Sequence, residues 1–156
     1  MPPVIRRYEA ADLDAVVGVF LRSVREVVSR DYDAAQIAAW AQVDRDAWSR
    51  RRLDRPTCVA LIDGVIAGFG DLQSDGHIDM LFVDPACQRR GVASALLDTV
   101  EHAARVQPLA VLDTDASITA RPFFEKHAFQ VVRSQVMALR GQHLTNFRMK
   151  KPVRAV

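Results

Sequence analysis

The residues with the most chemical content stand where a strand gives way to a helix: Gln88-Arg89-Arg90-Gly91-Val92-Ala93-Ser94. A loop in that position presents backbone N–H groups at the positive end of a helix dipole, which suits a phosphate or pyrophosphate. Gly91 lets the backbone approach an anion closely, and Arg89 and Arg90 can add charge-assisted hydrogen bonds. Two common phosphate loops fail on spacing: a Walker loop needs GxxxxGK followed by Ser or Thr, and a dinucleotide fingerprint needs GxGxxG opening a βαβ unit. Just upstream, alternation along a strand over 77–83 puts His77, Asp79, Leu81 and Val83 on one face and Ile78, Met80 and Phe82 on the other. His77 and Asp79 are therefore candidates for acid–base work. Asp79 would orient His77 and favour its charged form, or bind a substrate ammonium directly.

The elements that must position these groups follow from periodicity. A first strand covers 4–8, and Leu13, Val16, Val17, Phe20, Val24 and Val27 recur at helical spacing over 11–28, with Asp12 as a cap. Two shorter helices follow over about 34–41 and 44–53, the latter ending ahead of Pro56. The pattern then turns to strands over 58–62 and 65–72, joined by the two-residue Asp63-Gly64 turn of a hairpin. With 77–83 they make a three-stranded antiparallel meander. A helix over 91–106 leads to a strand over 109–113, expected to run parallel to 77–83 because a strand, a loop and a helix precede it. A short helix over 120–127 and strands over 129–139 and 144–149, flanking Gly141, complete the order. The fold class is mixed α/β (α+β): one domain over 1–156 with a central mixed, mostly antiparallel sheet of about seven strands flanked by helices.

Length and composition agree with a single folded core: 156 residues, 49% hydrophobic and 26% charged. The 21 basic and 19 acidic residues are interspersed and leave a net charge of +2, so no nucleic-acid surface is implied. Arg50-Arg51-Arg52 with Arg55 reads as a solvated helix end. Cys58 and Cys87 lack metal-ligand spacing, so no metal site or disulfide framework is expected. No stretch approaches a membrane span and no apolar signal core opens the chain, which gives a cytoplasmic expectation without membrane association.

Gln88-x-x-Gly91-x-Ala93, preceded by Val83-Asp84-Pro85, resembles the Q/R-x-x-G-x-G/A signature of the GNAT superfamily of N-acetyltransferases. A second block, Ser117-x-x-Ala120-x-x-Phe123-Phe124-Glu125-Lys126-His127-Ala128-Phe129, is similar to that family's N-x-x-A-x-x-L/F-Y-x-x-x-G-F. The resemblance implies acetyl-CoA as co-substrate and no metal. It implies that Gln88, Arg89, Arg90, Gly91, Val92, Ala93 and Ser94 hold the CoA pyrophosphate, and that the segment Leu81, Phe82 and Val83 pairs with pantetheine like an added strand, beside a splay whose N–H groups face the thioester oxygen. It further implies a base or water relay at His77 or Asp79.

Three positions depart from the family pattern, one of them Ala128, which stands for the usual glycine before Phe129 and is a packing or turn change more than a chemical one. Phe124 stands where the family usually has a tyrosine that protonates the departing thiolate, so Ser117, Tyr32 or water must replace it, or the thiolate leaves unaided; Phe124 itself would wall the thioester off from water. Ser117 replaces the usual asparagine and is expected to cap the following helix or to touch CoA. On the acceptor side the resemblance points to the first helices and last hairpin, where Arg22, Arg25, Glu26, Tyr32, Asp33, Gln36, Trp40, Asn146 and Arg148 are candidates, with Tyr32, Trp40 and Asp79 foremost. The implied activity is acetyl transfer to a primary amine of a small molecule by direct attack on the thioester. A protein lysine or N-terminus as acceptor, and a CoA-binding module without turnover, are the alternatives. A homodimer would be in keeping with similar proteins.

Overall fold

Val4 and Ile5, both β-branched, with Arg6 and Arg7 make up the first strand, β1, Val4–Arg7. Helix α1, Leu13–Glu26, buries Val16, Val19, Phe20 and Val24 and has a single 3₁₀ turn on either side, Ala10–Asp12 and Val28–Arg30. Because of the first of these turns Asp12 does not cap α1. Its carboxylate instead accepts the Glu9 N–H at 2.8 Å and pairs with both ends of the Arg6 guanidinium at 2.8 and 2.9 Å. Helix α2, Ala34–Trp40, opens on a reciprocal Asp33/Gln36 capping box, and α3, Arg45–Asp54, is capped by Asp44. The computed structural model describes residues 2–154, so the outermost ends of the expected domain, residue 1 and residues 155–156, lie outside the described residues.

Asp63 and Gly64 adopt φ of 52° and 77°, the turn that matches strand twist in a two-residue hairpin. They join β2, Thr57–Ile62, to β3, Val65–Asp71. The strand expected over 77–83 is broken into β4, His77–Ile78, and β5, Leu81–Val83. After α4, Val92–Val106, strand β6 spans Val111–Ser117, four residues further than the expected end at 113. Past Asp113 the sequence turns polar, but Leu112, Thr114 and Ala116 are buried while the aspartates between them lie on the other face, beside Arg148. Helix α5, Arg121–Lys126, and the long hairpin β7, Gln130–Leu139, and β8, Gln142–Pro152, follow.

Two four-stranded sheets result, in the orders β1-β2-β3-β5 and β4-β6-β8-β7, with β4 parallel to β6 and the remaining pairs antiparallel. Among the described residues eight strands stand where about seven were expected, because one is split. The cause is the carboxylate of Asp71, at the end of β3, whose Oδ1 accepts the N–H groups of Asp79 at 3.0 Å and Met80 at 2.9 Å. A side chain thus takes the N–H groups of the two residues between β4 and β5, while the Met80 carbonyl still accepts the Asp71 backbone N–H at 3.0 Å.

Helix α1 covers one face of the first sheet through Phe20 and Val24 against Val59, Phe69 and Trp48 of α3. Helix α4 covers the other through Val92 and Leu96 against Ala60 and Ala67. That second contact is close: a Cβ on Gly68 would lie 2.8 Å from the Phe82 carbonyl oxygen and 2.9 Å from Val92 Cγ1. Further along, Leu97, Val100 and Ala104 of α4 pack with Leu112, Phe124, Phe129 and Met149 beneath the second sheet. One helix therefore spans the split, each fully buried large side chain contributing roughly 1.5–3 kcal/mol. The expected solvated arginine cluster needs correction: Arg52 is 2% exposed, its guanidinium 3.1 Å from Asp71, because the α3 face that carries Trp48 into the core carries Arg52 with it.

Candidate active site

The loop before α4 has the geometry of an anion cradle. Arg89 and Gly91 both take positive φ, 63° and 77°, and Gly91 is the N-cap, without a side chain to occupy the first N–H groups of the 15-residue helix. The N–H groups of Val92, Ala93 and Ser94 are left for a ligand. A Cβ placed on Gly91 meets nothing within 4 Å, so the space in front of the loop is open. Arg22 of α1 holds the preceding turn through Asp84 at 2.6 Å. A cleft of about 440 Å³ runs from Gln88, Arg89 and Gly91–Ser94 along Leu81, Phe82 and Val83 to Ser117 and Phe124. Arg90 is exposed and does not line it.

The edge of β5 continues that cleft. Asp71 donates its N–H to Met80 O at 3.0 Å and Asp84 donates to Ala67 O at 2.7 Å, so Met80, Phe82 and Asp84 face β3. Antiparallel alternation then turns the N–H and C=O of Leu81 and Val83 to the other edge. Because β4 pairs with β6 and not alongside β5, that edge has no strand neighbour among the described residues, and an extended ligand can add to it.

A second cavity, about 340 Å³, meets the first at Leu81, Phe82, Ser117, Ala120 and Phe124. Its lining includes His77, Asp79, Asp115 and Asn146 at the sheets, Tyr32, Trp40 and Trp48 from the helical side, and Arg51 and Arg140. His77 Nδ1 lies 2.5 Å from Asp113 Oδ1, and Arg148 Nη2 donates to the same carboxylate at 3.2 Å. A carboxylate only accepts, so Nδ1 is the nitrogen that donates to Asp113, and in the neutral imidazole the lone pair then lies on Nε2. Asp79 lies 3.2 Å from Arg55 instead. The expected Asp79–His77 pairing is thus replaced by His77–Asp113 and Asp79–Arg55, since the split at Asp79 and Met80 interrupts the alternation that put the two on one face. Burial pushes the Asp71 carboxyl above its ordinary range, and Arg52 and the Met80 amide pull it back.

Other expected groups have different employment. The Tyr32 hydroxyl donates to Thr145 O at 2.6 Å and accepts the Ile118 N–H at 3.0 Å, and burial raises it above the usual phenol value; its proton is committed to the backbone, while its ring lines the second cavity. Ser117 Oγ accepts the Ala120 N–H at 3.0 Å, capping the turn that leads into α5. Asp33 and Gln36 cap α2, Arg22 holds Asp84, and Arg148 holds Asp113 and Asp115. Phe124 is 4% exposed and packs edge-on against Phe123 and Phe129. Asp113, Asp71, Arg51, Arg140 and His127, whose Nε2 lies 3.2 Å from Ser94 Oγ, were not legible as site residues. Only Asp113 carried a signal, as a polar residue on the strand expected beside His77, and nothing local fixed the register.

A cleft that follows a free strand edge into a helix-start cradle, and meets a second cavity at that edge, is the arrangement of an acyltransferase. Residues 28–151 match the family model described as Acetyltransferase (GNAT) domain. The chain belongs to the GNAT family and is an N-acetyltransferase in class. It is 41% identical over 146 residues to the uncharacterized N-acetyltransferase YafP of Escherichia coli (strain K12), covering 94% of this chain and 93% of that protein. Among solved structures it resembles a GCN5-related N-acetyltransferase from Rhodopseudomonas palustris, with a TM-score of 0.94, 30% identity and coverage of 97% and 96%. The PaiA N-acetyltransferase of Thermoplasma acidophilum, solved in complex with coenzyme A, shares the fold at a TM-score of 0.83 and 16% identity, over 97% and 99% of the two chains.

Proposed function

We propose that the protein transfers the acetyl group of acetyl-CoA to the primary amine of a small molecule. The meeting of two cavities at Leu81, Phe82, Ser117, Ala120 and Phe124 carries this reading: one takes an extended chain ending in an anion, the other a compact acceptor. The N–H groups of Val92, Ala93 and Ser94 would hold the pyrophosphate, and the backbone of Leu81 and Val83 the pantetheine arm. When bound, the donor supplies a thioester whose carbonyl carbon forms a C–N bond to the amine as the C–S bond breaks, the electron pair leaving on sulfur. An acceptor amine with a pKa near 10 arrives as an ammonium ion and must first lose a proton. His77 Nε2 is the group suited to receive it, with Asp113 fixing the tautomer and stabilising the imidazolium. Asp79, its carboxylate held by Arg55, orients the ammonium. The 340 Å³ volume favours a small acceptor over a peptide, since it is a pocket of ligand size and not a strand-wide groove.

Phe124 supports a second reading, a CoA-binding module without turnover, because it brings no hydroxyl to the leaving thiolate. Thiol release measured with acetyl-CoA and a panel of amines and peptides separates the two. Turnover with small amines is expected; acetyl-CoA raising the melting temperature while no acceptor provokes release would leave the module reading standing.

A further inference from the structure

The lining of the acceptor cavity holds both carboxylates and arginines. Asp79 and His77 stand two and four residues before Leu81 of the junction with the cofactor cleft, and Asp115 two before Ser117, whose strand partner is Asn146. Both carboxylates already have a cation: Asp79 has Arg55 at 3.2 Å and Asp115 has Arg148 at 3.3 Å. Asn146 is 5% exposed and its Oδ1 has no hydrogen-bond partner among the described residues. This group near the junction is thus rich in acceptors for N–H groups while carrying little uncompensated negative charge. From the last turn of α3 and from the β7–β8 turn come two exposed lining residues, Arg51 and Arg140. Neither has a carboxylate within 4.0 Å among the described residues. Arg140 is anchored by donating one Nη1 hydrogen bond to the Ala39 carbonyl at 2.7 Å, which leaves its remaining donors for another partner.

We infer that the acceptor is a primary amine that also carries an anionic group, a carboxylate or phosphonate, held by Arg51 and Arg140 while the amine enters toward His77. This rests on the small-molecule reading above and narrows it. A bare cation finds its attraction to Asp79 and Asp115 offset by Arg55 and Arg148, whereas an anion finds two guanidiniums with no competing carboxylate and the fork geometry that suits it. The acceptors near the junction then select for N–H donors. These two groups of residues fix which end of the molecule reaches the thioester, and correct presentation of the nucleophile is itself a large part of rate. The aromatic walls, Tyr32, Trp40 and Trp48, fill the space between.

The test uses matched acceptors that differ in the anionic group: 4-aminobutyrate with butylamine, 3-aminopropylphosphonate with propylamine, and phenylalanine with phenethylamine. Thiol release at saturating acetyl-CoA is compared for the unaltered protein and for Arg51→Gln, Arg140→Gln and the double variant. The charged member of at least one pair should be the better acceptor. In the double variant its kcat/KM should fall about tenfold further than that of its uncharged partner, through KM, equivalent to roughly 1.4 kcal/mol. Taking the ratio of the two falls cancels the difference in amine pKa within a pair. Arg51→Lys in place of Gln should restore part of the loss. Uncharged members being preferred, or both members falling together, would overturn the proposal and leave the small-molecule reading intact. Release with peptides and with none of the six amines would remove both.

Discussion

Asp71→Asn tests the device that splits the strand. The substitution keeps the side-chain shape and one oxygen for the N–H groups of Asp79 and Met80, but removes the negative charge that faces Arg52. That arginine is 1% exposed along its side chain, and its Nε and Nη1 have no hydrogen-bond partner among the described residues. Apart from the faces of Trp48 at 5.5 Å and Phe69 at 6.0 Å, its compensation comes first from Asp71, with the more distant Asp79 adding to it. A buried charge stripped of its partner costs about 3–5 kcal/mol, a large share of the roughly 5–15 kcal/mol that holds a domain folded. At roughly 2–4 °C per kcal/mol for a chain of this size, the melting temperature should fall by about 6–20 °C. Adding Arg52→Met removes the stranded charge and fills the space with an adaptable apolar side chain, and exchanges of that kind are often neutral. The double variant should therefore recover most of the loss. Denaturant and thermal melts of the four proteins in the cycle measure the coupling. A single-variant loss under about 1 kcal/mol, or a double variant as unstable as the sum of its parts, would refute the assignment of Asp71 and Arg52 as one coupled unit.

Other perturbations probe the site and its surroundings. His77→Gln should lower kcat by about 10²–10⁴, the usual worth of a positioned base, and Asp113→Asn should lower kcat with the KM for acetyl-CoA unchanged; equal turnover in both variants would remove the pair from the reaction. Gly91→Glu should abolish acetyl-CoA binding in calorimetry, because the new carboxylate enters the open space before the cradle and a non-glycine residue is strained at φ 77°. Burial pushes the Cys58 thiol up to about 11, so at pH 8 only about one thiol in a thousand is ionised and a Cys87→Ser protein should react slowly with a disulfide reagent; rapid reaction would contradict that burial. Arg6 holds the Asp12 carboxyl below its ordinary value of 3.8. A depressed folded-state pKa gives stability that is present above 3.8 and lost as pH falls from there through the folded value, so Asp12→Asn should flatten the acid limb of a stability profile below about pH 4.

Much of this was written in local pattern. The helices over 34–40, 45–54 and 92–106, the Asp63-Gly64 hairpin and the cradle at Gln88 to Ser94 all depend on neighbours within a few residues: a cap, a period, a positive φ. What escaped depends on distant partners. Nothing near Met80 announces that the Asp71 carboxylate will claim its N–H and end a strand there, and without that the alternation from His77 to Val83 looks continuous. The polar run Asp113-Thr114-Asp115 becomes strand because Arg148 lies across from it on β8. Arg52 looked like its exposed neighbours Arg50 and Arg51, since helix phase distinguishes them only once Trp48 is known to face the core. Tyr32 was legible as a residue of the acceptor side, but its hydroxyl is spent on Thr145 and Ile118, one of them more than a hundred residues away in the chain.

Leu81, Phe82, Ser117, Ala120 and Phe124 line both cavities. If donor and acceptor take one cavity each, as proposed, the layout imposes no queue: neither needs to depart before the second enters. Both would then be present together, and the acetyl group would have no need to be parked on a side chain between visits. Steady-state velocities would then trace families of intersecting double-reciprocal lines, the signature of a meeting rather than a relay.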